Sequence, residues 1–295
     1  MMKFIFNENK NSNNTIIHSN TSLITLSTCW YILKSKFNID TYLEWIRNFL
    51  SMVNNFNLVI YTDNKSITYL LPFMNNRDTR IKIIIKPMSQ FYTYKYKNNW
   101  IINHATSDLD LHKRIDWKLN MLWNEKVFFM QETIQNRYFN TLYYGWCDIG
   151  YFRNRTNDLH TNYLQSWPNA RKLLSSPFNG SLIHYGCVQN NQSLYDNLKN
   201  DIQQHYNNGL TSQPTNKLEE LCFSGGFFIL KPELIDVYAT MYNEKLLYYF
   251  INRYTIKDDQ TIIMDIMFTH PGLFYIHREY DKRFDNWFMF QRLLF

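Results

Sequence analysis

NLVIYTD, residues 57–63, sets the fold: a run of four apolar or aromatic residues, rich in β-formers, that closes on Thr62 and Asp63. A run this short suits a buried strand better than a helix. On its N-terminal side lies DTYLEWIRNFLSMVNN, with apolar residues at 42, 43, 46, 49, 50 and 53, the spacing of a helix, and with Asp40 as its expected N-cap. Before that, SLITLSTCWYIL predicts a first strand starting near Ser22. On the C-terminal side NKSITYLLPFM predicts a second helix broken late by Pro72, and RIKIIIKPM a third strand closed by Pro87. The order β-α-β-α-β with short links implies an α/β unit with a mostly parallel central sheet flanked by helices.

Farther on, LHKRIDWKLNMLWNEKVFFMQETIQN predicts one or two helices before a strand in TLYYGWCDIGYF. A short helix in WPNARKLLS, a strand in SLIHYGCV and a polar amphipathic helix in QNNQSLYDNLKNDIQQHYNN follow. PELIDVYATMYNEKLLYYFINRY predicts a long helix, DDQTIIMDIMFTHP another opened by acids, and GLFYIHREY a last strand. No internal repeat divides the chain. Residues 1–21, Asn-rich and polar, are expected to be a lead-in, and residues 22–295 a single domain.

At 295 residues, with 45% hydrophobic and 19% charged residues and 18% aromatics, the chain has the composition of a folded protein. Asn, Lys, Ile, Tyr and Phe are abundant while Ala occurs only at 105, 170 and 239, which points to an AT-rich genome, a large DNA virus or an AT-rich microbe. The net charge of +6 fits a phosphate-bearing partner. With the basic residues scattered and no zinc-finger or RNA-recognition signature, no nucleic-acid partner is expected. Cys29, Cys147, Cys187 and Cys222 form no CxxC pair and are expected as free thiols of a cytoplasmic protein. No apolar run approaches the roughly 20 residues of a transmembrane helix.

Ligands of open parallel sheets bind beyond the carboxyl ends of the strands, which is where Asp63 and Asp148 fall. Asp148, in YYGWCDIGYFR, is either a turn-forming acid or a ligand for Mn²⁺ or Mg²⁺, hard ions that prefer oxygen. Asp258 and Asp259 open an apolar run. Adjacent acids there favour a helix N-terminus, and one can cap the helix while the other faces a cleft as a base. Gly225 and Gly226 in CFSGGFFILKPE imply a bulge, a tight turn or a close approach of ligand to backbone. His277 and His270 are either structural or metal- and diphosphate-contacting. No Walker A loop, GxGxxG, HExxH or GxSxG is present.

Taken in order, SLITLSTCWY, YLEWIRNFL, NLVIYTD, WNEKVFFMQETI, YYGWCDIGYFR, CFSGGFFILKPE and DDQTIIM resemble the HtrL/YibB group, and more broadly the nucleotide-sugar glycosyltransferases of the GT-A fold, from about Ser22 to Trp287. The resemblance implies a nucleotide-sugar donor, UDP-sugar favoured, with Thr25 and Ser27 near the nucleotide and Asp63 near the base or ribose. Asp148 matches the first acid of an Asp-x-Asp-like motif whose second acid is Gly150 here. The implied Mn²⁺ or Mg²⁺ is therefore held by Asp148 with the diphosphate, water and His277. Gly225 and Gly226 line the donor sugar, and Asp258 or Asp259 faces a glycan or glycoprotein acceptor. Two rivals stand beside this reading: a degenerate GT-A-like binding module, and a two-metal nucleic-acid enzyme built on Asp148, Asp258 and Asp259.

Overall fold

The structure, a computed structural model, describes residues 22–74 and 79–295; the lead-in expected at 1–21 lies outside them. Seven strands form one mixed sheet: β1 (Ile24–Trp30), β2 (Asn57–Thr62), β3 (Ile81–Ile85), β4 (Tyr143–Cys147), β5 (Ile183–Cys187), β6 (Phe223–Leu230) and β7 (Phe274–Arg278). Their order across the sheet is β3-β2-β1-β4-β6-β5-β7. The pairs β1–β2, β1–β4, β2–β3 and β5–β7 are parallel, and β6 alone runs against its neighbours β4 and β5. The α/β class with a mostly parallel sheet is thus the observed one.

Among the described residues the helices are α1 (Ile39–Ser51), α2 (Lys97–Thr106), α3 (Asp110–Arg114), α4 (Trp117–Trp123), α5 (Lys126–Gln135), α6 (Ala170–Leu173), α7 (Gln192–Asn207), α8 (Ile235–Ile251), α9 (Asp259–Thr269) and α10 (Phe290–Leu293). None is long and apolar enough to cross a membrane.

Three expectations are corrected here. Asn38 rather than Asp40 caps α1, its side chain accepting from the Thr41 N–H at 2.9 Å, while Asp40 stands in the first turn. The helix expected over residues 64–74 is two 3₁₀ turns, Ile67–Tyr69 and Leu71–Phe73, because Pro72 has no N–H to continue a longer ladder. The stretch from Leu111 to Asn136 holds three helices, since Asp116 caps α4 by accepting from Leu119 N–H and Asn124 ends it.

Alternation along the strands sends side chains to two separate layers. Val59 and Tyr61 of β2, with Tyr144 and Trp146 of β4, pack with α4, α5, α8 and α9. Leu58, Ile60, Tyr143 and Cys147 face α1, the 149–178 segment and the C-terminal helix. Both faces are covered, which is why the β2 run reads as continuously apolar rather than alternating.

Candidate functional site

The carboxyl ends of β1, β2, β3 and β4 share one edge of the sheet, and the reversal of β6 brings its N-terminal half to the same edge. Cys147 is in register with Phe227, so Gly226 and Gly225 lie just beyond the end of β4. Asp148 is fixed there by its own N–H, which donates to Gly226 O at 2.8 Å, and by the Trp146 indole N–H, which donates to Asp148 Oδ1 at 2.6 Å.

Beneath it lies Lys126, the first residue of α5. Its ammonium is 2.9 Å from Gly225 O, 3.0 Å from Asp148 Oδ1 and 2.9 Å from Asp259 Oδ2. The lysine side chain is 7% exposed against 41% for Asp148, so Asp148 is the member of the cluster that solvent and ligands reach. Burial alone would pull the Lys126 pKa down, but Asp148 and Asp259 outweigh it and hold the amine protonated. Burial raises the Asp259 carboxyl to about 6 against the pull of Lys126, with Asp258 and Asp148 adding to the rise. Burial likewise raises Asp258.

The two adjacent acids divide their tasks. Asp258 is the N-cap of α9, accepting from the Gln260 N–H at 3.1 Å, while Asp259 turns to Lys126. The chain before them is held by buried amides: Asn103 exchanges two 2.9 Å hydrogen bonds with the backbone of Ile256, and Asn120 donates a third to Ile256 O. His112 Nε2 meets Lys257 O at 2.9 Å, and the Gln260 amide donates to Phe223 O, tying α9 to β6.

The paired glycines sit inside β6, where its register with β5 shifts between Phe228 and Phe223 opposite Tyr185 and Cys187, so the bulge reading stands together with close approach and the turn reading gives way. A Cβ at Gly225 would lie 2.3 Å from Asp259 Oδ2, whereas one at Gly226 would meet Asp148 Oδ2 at an ordinary 3.5 Å. Gly150 is likewise packed, with the Trp45 ring 2.7 Å from where its Cβ would be.

Two adjoining cavities open at this edge. The smaller, about 150 Å³, is lined by aromatic rings, among them Trp30, Tyr31, Tyr42, Trp123 and Trp146. The larger, about 600 Å³, takes in Ser224, Gly225, Gly226, Asp258, Asp259 and Gln260. Lys126, Asp148, Gly150 and Arg153 border both. The Arg153 guanidinium lies 4.2 Å from the Trp45 ring centre and donates through Nε to Gly150 O at 2.8 Å. Lys36, on the wall of the larger cavity, sits 4.9 Å from the Trp123 ring centre. Among the described residues neither cation has a carboxylate at ion-pair distance.

Asp148, Gly150, Gly225, Gly226, Asp258 and Asp259 are therefore brought together, and five other candidates are not. Thr25 and Ser27 are buried in the first half of β1, their hydroxyls spent on Thr141 and Thr133 at 2.9 Å each, because that half of the strand runs through the core. Asp63 follows β2 but lines neither cavity; its side chain accepts from the Ser66 N–H at 2.7 Å and shapes the turn. His277 lies in β7, buried against His184 with 3.1 Å between ring nitrogens and stacked on Phe178. Burial there lowers its pKa to about 3. His270 closes α9, exposed, beside Thr269.

The metal ion implied for Asp148 does not fit these residues. Among the described residues no three His, Cys, Asp or Glu side chains converge on one point, and the oxygens that Asp148 and Asp259 turn toward each other already face an ammonium. Sequence reasoning missed Lys126, Lys36 and Arg153. For Lys126 a signal existed: a lysine in the first turn of a helix opposes the macrodipole and calls for a compensating partner.

No protein-family model and no curated protein sequence matches the chain. Among solved structures, it is similar to mouse xyloside xylosyltransferase 1 in its apo form, with 14% identity, a TM-score of 0.45 and coverage of 86% of this chain and 84% of that one. It is similar to the galactosyltransferase LgtC in complex with donor and acceptor sugar analogs, with 7% identity, a TM-score of 0.45 and coverage of 85% and 72%. It is also similar to core-mannan synthase A of Aspergillus fumigatus in a Mn/GDP form, with 10% identity, a TM-score of 0.41 and coverage of 88% and 73%.

Proposed function

We propose that this chain has the GT-A fold and transfers a sugar from a nucleotide-sugar donor, UDP-sugar favoured, to a glycan or protein-linked acceptor. The observation that carries the reading is the junction of an aromatic slot with a wide polar cleft, bordered by Asp148 and an Arg153 that has no carboxylate at ion-pair distance among the described residues. A planar base suits the slot, since rings stack on aromatic faces. The diphosphate then lies against Arg153, whose forked donors match phosphate oxygens, with Lys36 nearby. The sugar passes over Gly225 and Gly226, where the backbone offers no side chain to block it.

In this reading the bond between the anomeric carbon and the diphosphate oxygen breaks, the electron pair leaves with the diphosphate, and the acceptor oxygen bonds to the carbon. If the anomeric centre inverts, Asp259, raised to about 6, is the carboxylate suited to take the acceptor proton near neutral pH. A second reading, a GT-A-like module that binds glycans without turnover, is favoured by the mutual neutralisation of Lys126 with Asp148 and Asp259.

The test is calorimetry with a panel of UDP- and GDP-sugars, followed by release of free nucleotide with an acceptor mixture. The transferase reading expects binding that Arg153→Ala weakens and turnover that Asp148→Asn abolishes. Binding without turnover for any acceptor selects the module, and no binding of any nucleotide sugar ends both.

A further inference from the structure

We infer that the Lys126 ammonium stands in this chain where a divalent cation would otherwise bridge the carboxylates, so that donor binding and transfer proceed without a metal ion. The inference rests on the glycosyltransferase reading for its donor, but the geometry behind it is independent of substrate.

An ammonium carries three N–H donors in a tetrahedral array. Here it donates to Gly225 O at 2.9 Å and lies at ion-pair distance from Asp148 Oδ1, 3.0 Å, and Asp259 Oδ2, 2.9 Å. A divalent ion placed between the two carboxylates would need the same oxygens and would lie beside a buried positive charge. The lysine is also held where helix electrostatics disfavour it, at the first residue of α5, and the two acids are the charges that compensate for that position.

The surroundings close the other routes to a metal site. At Gly150, where a second acid would extend the Asp-x-Asp-like motif, the Trp45 ring fills the space a side chain needs, with Cε3 2.7 Å from the Cβ position. His277 is engaged with His184 on another strand. Two cations join Asp148 on the cavity walls: Arg153 lines both cavities, and Lys36 lines the larger.

The step balances without a metal. The C–O bond to the diphosphate breaks with its electron pair on the leaving oxygen, the new C–O bond forms to the acceptor, and the acceptor proton passes to a carboxylate. The charge that develops on the diphosphate is met by the Arg153 guanidinium, held by Gly150 O and the Trp45 ring, and by the Lys36 ammonium on the same cavity wall. Lys126 keeps Asp148 and Asp259 from repelling both the diphosphate and each other.

The test uses the full chain. Free Mn²⁺ is titrated with protein alone and followed by its electron paramagnetic resonance signal, and UDP affinity is measured by calorimetry in EDTA and in Mn²⁺. Expected are no stoichiometric capture of Mn²⁺ by the wild type and UDP affinities equal within about twofold in the two buffers. Lys126→Met, which removes the charge and keeps the stem, should create Mn²⁺ capture that a further Asp148→Asn abolishes. Wild-type capture that Asp148→Asn removes, or UDP affinity raised tenfold or more by Mn²⁺, overturns the inference and leaves the transferase reading standing. If Lys126→Met does not fold, the two wild-type measurements still decide. If UDP and GDP bind in neither buffer, the transferase reading fails while the Mn²⁺ titration decides the place of Lys126 separately.

Discussion

Two neighbouring glycines should respond to the same substitution very unequally. In Gly225→Ala the new methyl carbon would lie 2.3 Å from Asp259 Oδ2 and 3.0 Å from its Cγ, so the carboxylate must retreat by about 1 Å to reach ordinary contact. That retreat opens the 2.9 Å contact with Lys126 inside a site where both partners are buried. Breaking a buried pair outright costs about 3–5 kcal/mol, and a forced partial opening about 2–4 kcal/mol. In Gly226→Ala the nearest atom is Asp148 Oδ2 at 3.5 Å, an ordinary contact, and the change should stay within about 1 kcal/mol. Denaturant melts of both variants measure the difference, and nucleotide release should fall about a hundredfold in Gly225→Ala alone, the scale of a 1 Å misplacement of a catalytic group. A double-mutant cycle isolates the cause. Once Asp259→Ala has removed the carboxylate, the added methyl has nothing to displace, and the coupling should be at least about 2 kcal/mol. Equal costs at the two glycines, or additivity within about 0.5 kcal/mol in the cycle, would refute the reasoning.

The acid limb of the kcat/KM profile should fall near pH 6, because Asp259, raised to about 6, is protonated below that value and cannot accept the acceptor proton; a profile flat to pH 5 removes Asp259 as the base. Arg153→Ala should weaken UDP binding at least about tenfold by calorimetry, and Arg153→Lys should not restore it, since an ammonium loses the fork that a guanidinium offers and cannot keep the same place over the Trp45 ring. The buried pair His184 and His277, lowered to about 4 and about 3, contributes stability that is full above the unfolded value near 6.5 and is lost as pH falls toward the folded values. At pH 4 His277 alone should account for about 3 kcal/mol, so thermal melts should drop between pH 6.5 and 4, and His277→Gln should flatten that drop.

The fold was legible where one rule acted alone. The continuous apolar runs of β2 and β4 announced strands buried on both faces, and the acids opening α9 announced a helix start. Reading failed where a rule had a local exception: Pro72 turned an expected helix into two 3₁₀ turns, and Asn38 displaced Asp40 as cap because its side chain reaches Thr41 N–H. In the site, the glycines and acids were visible as residues out of place in apolar runs. Thr25 and Ser27 were misplaced because position along a strand, which separates its buried first half from its open end, is not carried by residue type. Lys126 was hidden because its partners Asp148 and Asp259 are distant in sequence, and only the antiparallel course of β6 between β4 and β5 brings Gly225 and α9 to it.

The order in which the chain emerges gives the Lys126 cluster a history. During synthesis Lys126 appears first and Asp148 soon after, but Asp259 follows 111 positions beyond Asp148. At ribosomal rates of about 5–20 residues per second that gap lasts on the order of 10 s. For that interval the early strands can pair while the ammonium has only one acid to meet it, and the Asn103 and Asn120 amides wait for Ile256. The arrival of α9 brings the second acid to Lys126 and Ile256 to its amides, while β7 and the C-terminal helix that close the core are still to come.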